Sequence, residues 1–282
     1  MKKTIIFKRF LEYFDKDKKL IKYLTDVEIA NLNTLPSFAK IKESRFSKES
    51  LIDSVHYSWF IPMLNIYSNK EASLFLLAMK KQNKKALQNI LGLEDTQNDL
   101  SKSIKSFLKE QLLRSLIKKE DHLLPINFLF DAKLNKLLLL SKNSLVKLID
   151  FLGMYDLAKE LKFIVEKKKL KTIYSYLKED EKKILKKILH YKEPFSTKRI
   201  NIEKYSYDKK KLRNAFHRCG LLRLSYALSL ESIDLIWYVC HTLDIGRGNY
   251  IFKESRAKKQ KEASDIIALE ILKIINIIEE KL

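Results

Sequence analysis

Four side chains within one short segment have the types that a zinc site or a thiol enzyme requires. They are His217 and Cys219, one residue apart, and the adjacent pair Cys240 and His241. Thiolate and imidazole suit zinc. The spacing does not, because short zinc modules leave two or more residues between ligands, and neighbours on a helix project about 100° apart. Cys240 also continues the apolar row Ile233, Ile236, Trp237 and Leu243, where a cysteine serves as a small hydrophobe. A Cys–His nucleophile pair would need a third group to orient the base. Cys219, His241 and Asp244 offer the right types, but no phosphate loop, G-x-S-x-G or H-E-x-x-H pattern accompanies them. The expectation is a non-enzymatic chain with no metal and no cofactor.

A second chemistry resides in arginine. Lysine outnumbers arginine 47 to 9, so the placing of arginine carries more information than the lysines do. Arg218 and Arg223 follow His217, and Leu243–Gly248 reads LDIGRG, with Arg247 between two glycines. A guanidinium offers a planar fork of donors to a carboxylate or phosphate. Arg247 could equally pair with Asp244 while the glycines only reverse the chain. Trp and Arg dominate protein–protein hot spots. His217, Arg218, Arg223, Trp237, His241, Asp244 and Arg247 are therefore the expected partner-binding residues.

The elements that must position these groups are helices. With five glycines, four prolines and no hairpin signal in 282 residues, the chain reads as all-α. Ser68 and Glu71 form the pattern of a capping box, Gly92 suits a left-handed stop, and Ser141 or Ser144 a cap. Gly153 and Gly220 read as helix ends, Asp180 and Ser229 as caps, and Asp244–Asn249 as a glycine turn. Residues 134–189 then divide into helices of two to four turns on short connections, a pattern suited to a right-handed array of stacked helix pairs. Polar residues 37–50 and Pro194–Ser196 suggest linkers. The expected division is 1–125, 126–193 and 194–282, with a long last helix from about Glu254, buried or docked on a partner.

The formal charge is +21. Such a balance fits nucleic acid or an anionic membrane surface, but lysines spread over nearly every helix also fit an ordinary solvated coat. The tyrosines near lysine runs (Tyr174, Tyr176, Tyr205, Tyr207) interleave loosely, and no defined nucleic-acid module is present. Two cysteines cannot build a disulfide framework, and no stretch is long and apolar enough to span a bilayer. A cytoplasmic location is expected.

The rhythm of LLLLSKNSLVKLIDFLGMYDLAKEL and LKTIYSYLKEDEKKILKKIL resembles the flagellar switch protein FliG family, and HYSWFIPML (residues 56–64) is similar to cytosolic sorting-platform accessory proteins of type III secretion. The Glu-His-Pro-Gln and Met-Phe-x-Phe signatures of FliG and its Gly-Gly hinge are absent, so no individual residue role carries over. The resemblance implies a structural or adaptor protein that binds other components of a secretion or motility machine. A nucleic-acid binder using the lysine-rich surface is the alternative expectation.

Overall fold

Helix follows helix along the chain, and the computed structural model describes residues 2–38, 48–94, 99–117, 123–190, 200, 202, 208–257 and 261–279. Most of the suggested linkers, together with Tyr205 and Tyr207, lie outside these. The described residues contain no strand, only an isolated bridge between Phe38 and Phe130. The protein is all-α. It divides into two compact units, Met1–Asn135 and Lys136–Leu282.

The first unit is made of short helices: α1 (Lys2–Phe14), α2 (Asp26–Asn33), α3 (Lys48–Ser54), α4 (Ile61–Leu64), α5 (Asn69–Leu77), α6 (Lys81–Leu91) and α7 (Lys102–Leu116). The local signals act as read. Ser68 Oγ accepts from the Glu71 amide and Glu71 Oε2 accepts from the Ser68 amide, which opens α5. Gly92 closes α6 at φ 64°, a region that only glycine enters cheaply. α3 and α5 both pack on α7, and α5 packs on α6. Ile52, Leu76, Leu87 and Leu112 are buried there. Ile5, Phe38 and Leu124 form a second small core with Leu35, Phe128 and Phe130.

The second unit is organised differently from the expected chain of short pairs. Residues 142–161 form one 20-residue helix, α8 (Lys142–Leu161), capped by Ser141 Oγ on the Ser144 amide at 3.1 Å. After α9 (Lys167–Tyr176) and α10 (Glu179–Leu189) comes another 20-residue helix, α11 (Lys209–Leu228), capped by Asp208. Then follow α12 (Ile233–Thr242), α13 (Ile245–Ala257) and α14 (Lys261–Glu279). α8 buries Leu145, Leu148, Ile149, Leu152, Leu157 and Ala158 among others, around its whole circumference, as a central helix must. α10, α11 and α14 surround it. Helices α8 and α10, which the expected division places apart from 194–282, therefore pack in one unit with α11 and α14.

Gly153 and Gly220 do not end helices. Each sits in the middle of a 20-residue helix, where α8 and α11 cross with backbones touching. A Cβ on Gly153 would lie 2.7 Å from the Phe216 carbonyl carbon, and one on Gly220 would lie 2.8 Å from that of Ile149. Ordinary carbon–carbon contact is about 3.5–4.0 Å, so hydrogen is the only substituent that fits. Two other cap assignments also move. Ser232, not Ser229, caps α12, and Lys178 occupies the cap position of α10 while Asp180 pairs with Lys147 at 2.9 Å. α14 buries Ile267, Ile271, Ile274, Ile275 and Ile278 and leaves Ile266 and Leu269 exposed.

Candidate functional site

Three helices carry the expected site residues. α11 bears His217, Arg218, Cys219 and Arg223; α12 bears Trp237, Cys240 and His241; α13 bears Arg247. LDIGRG is not a glycine turn. Asp244 Oδ1 accepts from the Arg247 amide at 3.2 Å, which caps α13 and lets Gly246 and Gly248 continue as helix without positive φ.

Arg223 is not a surface anchor. It is fully buried, and its guanidinium binds two carboxylates from other helices. Nε and Nη2 donate to Asp156 of α8 at 2.9 and 3.1 Å, and Nη1 donates to Glu270 of α14 at 2.6 Å. The Tyr155 ring lies 5.2 Å away. Burial disfavours the charge, yet the two carboxylates hold the Arg223 pKa above its ordinary value. One guanidinium beside two ionised carboxylates would leave a net negative charge in the core, which is costly. Burial accordingly raises the Glu270 carboxyl to about 7, against the pull of Arg223. The reason this arginine turned inward is that its partners are there: Asp156 sits within the apolar run of α8, and Glu270 occupies the same stripe as Ile267, Ile271 and Ile274.

The remaining polar residues form a chain of charges across α13, α11, α8 and α10. Arg247 Nη1 pairs with Asp244, and its Nε donates to His217 Nε2 at 2.9 Å. His217 Nδ1 faces Asp150 Oδ1 at 2.6 Å. Because Nε2 accepts from Arg247, the ring donates to Asp150 through Nδ1. Asp150 lies 3.9 Å from Arg213, whose two Nη atoms reach Glu181 at 2.9 and 3.1 Å. Burial would raise the Asp244 carboxyl, but hydrogen bonds from Arg247 hold it below the usual carboxylate range. An aspartate behind an imidazole is how a general base is oriented. Here, however, the outer nitrogen already accepts from Arg247, so the arrangement locks helices together.

His241 is a buried residue. Its Nδ1 donates to the Trp237 carbonyl at 2.8 Å, and its ring stacks on the Trp237 indole with centroids 3.8 Å apart. Burial lowers its pKa to about 4, so it is neutral near pH 7 and does not act as a surface cation for a partner. The Cys240 thiol is fully buried and driven upward by desolvation, away from the reactive thiolate. Among the described residues, no group of three or more His, Cys, Asp or Glu side chains is placed to hold a metal ion.

What the segment offers at its surface is narrower than expected. Arg218 is exposed, and His217, Asp244, Arg247 and Trp237 are half-buried. Asp150, Asp156, Arg213, Glu181 and Glu270 complete the two polar networks, and none was expected from the segment itself. For Asp150, Asp156 and Glu270 the signal was present as charge inside apolar helical text, whereas Glu181 and Arg213 stand among other charges. Among the described residues, no helix is long and apolar enough to cross a membrane. The chain finds no match among protein-family models, curated proteins or solved structures.

Proposed function

We propose that the chain is a non-enzymatic scaffold that binds another protein through the surface shared by α11 and α13. The observation that carries this reading is the division of the arginines. Arg223 is spent on the core, whereas Arg218 and the outer edge of Arg247 stay at the surface of two helices that pack together. The network beneath them, Asp244–Arg247–His217–Asp150, holds that surface in one geometry, and rigid arginines make strong interface contacts. The likeness of residues 134–189 to FliG extends the proposal to a partner in a secretion or motility apparatus.

The test is capture of partners from native cells by the tagged chain and by an Arg218→Glu variant, with and without nuclease. Arg218 is exposed, so its replacement leaves the core intact. A defined protein set that survives nuclease and is lost with the variant is the expected result. An identical set with the variant overturns the site. A set that disappears with nuclease replaces this reading by nucleic-acid binding through the lysine coat.

A further inference from the structure

Helix α1 carries apolar side chains on two opposite faces, and among the described residues only one of them is covered. Ile5 and Leu11 are buried, with Ile5 in the small core beside Phe38 and Leu124. Ile6, Phe7, Phe10, Tyr13 and Phe14 are between 40% and 74% exposed. At about 100° per residue these five fill an arc of about 120°, with Lys3 inside it. The rings touch one another: Phe10 and Phe14 have centroids 5.0 Å apart, and Tyr13 and Phe14 6.3 Å.

Charge indicates what covers this face. Residues 2–22 hold eight cationic side chains against three carboxylates. The cations on the inner side are engaged. Lys8 Nζ donates to the Leu35 carbonyl at 2.7 Å, and Arg9 pairs with Glu12 at 3.1 Å and lies over the Phe38 ring. Asp15 accepts from the amides of Lys19, Leu20 and Ile21, so two of the three carboxylates are turned to internal work. Lys3, Lys16, Lys18 and Lys22 are exposed, as is Lys19, which lies 3.4 Å from Asp17. An aromatic arc free of carboxylates and bordered by lysines is complementary to a surface that is apolar below and negative above. An anionic lipid leaflet has that profile: rings settle at the acyl boundary and lysines among the phosphates. Thirteen helical residues extend about 20 Å, enough to lie in the interface and too short to cross it.

We propose that α1 docks flat on an anionic lipid surface through Ile6, Phe7, Phe10, Tyr13 and Phe14, with the flanking lysines contacting headgroup phosphates. This goes beyond the protein-binding reading and does not depend on it.

The experiment is co-sedimentation of the full chain with phosphatidylcholine vesicles, with and without about 30% phosphatidylglycerol, at near-physiological salt. The expected result is binding to the anionic vesicles that is at least about tenfold stronger than to neutral ones, and that falls at least about tenfold in Phe10→Asp/Phe14→Asp. A Phe14→Cys chain labelled with an environment-sensitive dye should shift to the blue on the anionic vesicles, which reports ring insertion even if the double variant misfolds. No binding overturns the proposal. Binding without a dye shift, or binding unchanged in the double variant, reduces it to adhesion of a polycation and also overturns it. A dimer in lipid-free solution that the double variant converts to monomer assigns the face to a second copy instead.

Discussion

Replacing Gly220 by alanine should destabilise the protein, although the same change at an unobstructed helical site stabilises it. In the middle of a helix, alanine is favoured over glycine by about 1 kcal/mol. At Gly220 the added methyl would stand 2.8 Å from the Ile149 carbonyl carbon and closer still to its oxygen. The obstacle is backbone, which cannot rotate aside, so α8 and α11 must part by about 1 Å to restore ordinary contact. A gap of that size forfeits roughly a quarter to a half of each facing contact. Overpacking costs about 1–3 kcal/mol in general, and a main-chain obstacle belongs at the upper end. Less the propensity gain, the net loss is about 2 kcal/mol, or about 4–8 °C in Tm for a unit of this size. The assay is urea and thermal unfolding by circular dichroism, with hydrogen exchange of α8 and α11 to localise the effect. Gly153→Ala should behave alike, and the double variant should lose less than the sum, since helices already parted for one methyl admit the second. Gly246→Ala is the control, because its methyl would meet only Asp244 Oδ1 at 3.4 Å. A Gly220→Ala protein as stable as the parent, or more so, would refute the close crossing.

Three further outcomes follow from the buried groups and caps. Arg223→Met leaves Asp156 buried without its guanidinium and should cost about 3–5 kcal/mol in denaturant unfolding, while combining it with Asp156→Leu and Glu270→Leu should recover most of the loss. The pH dependence of stability should contain two opposed contributions. Glu270, raised in the folded state to about 7, binds its proton more tightly there, so its contribution is complete below about 4.5 and is lost as pH rises towards 7. His241, lowered to about 4, contributes stability above about 6.5 that is lost as pH falls towards 4. Glu270→Gln should therefore expose acid sensitivity, and His241→Phe should expose a decline from pH 5 to 7, both read as Tm against pH; parallel curves for the two variants would refute the assignment. Gly92→Ala forces a side chain into left-handed backbone and should cost about 1 kcal/mol in unfolding free energy even though nothing lies within 4 Å of the new methyl.

The fold class and several helix ends were legible because their causes are local. Ser68 with Glu71, Gly92 and Ser141 act on backbone groups within a turn, and residue type alone indicates them. Gly153 and Gly220 were misread for the same reason. A glycine that stops a helix and one that admits a second backbone look alike until the partner helix is known. The clue was the text around them, FLGMY and CGLLR, which continues apolar with no loop residue. Arg223 was read as a surface cation because arginine usually is one, and its inward turn depends on Asp156 and Glu270, far off in the chain. His217 and Arg247 meet in the fold, but the aspartate that orients His217 lies on α8, outside the segment 214–248.

The Arg223 junction also bears on how the chain is made. Asp156 precedes Arg223 by 67 residues and Glu270 follows it by 47. At about 5–20 residues per second, a ribosome completes Glu270 roughly 2–9 s after Arg223. Both members of the Arg223–Asp156 pair, and both glycines of the α8–α11 crossing, therefore exist on the chain before Glu270 does. Glu270 then joins on α14 together with the isoleucine stripe that buries it, and because burial raises its carboxyl to about 7 it brings less negative charge to the closed interior than an ordinary carboxylate would. The order of synthesis and the charge of the core are thereby compatible at every stage.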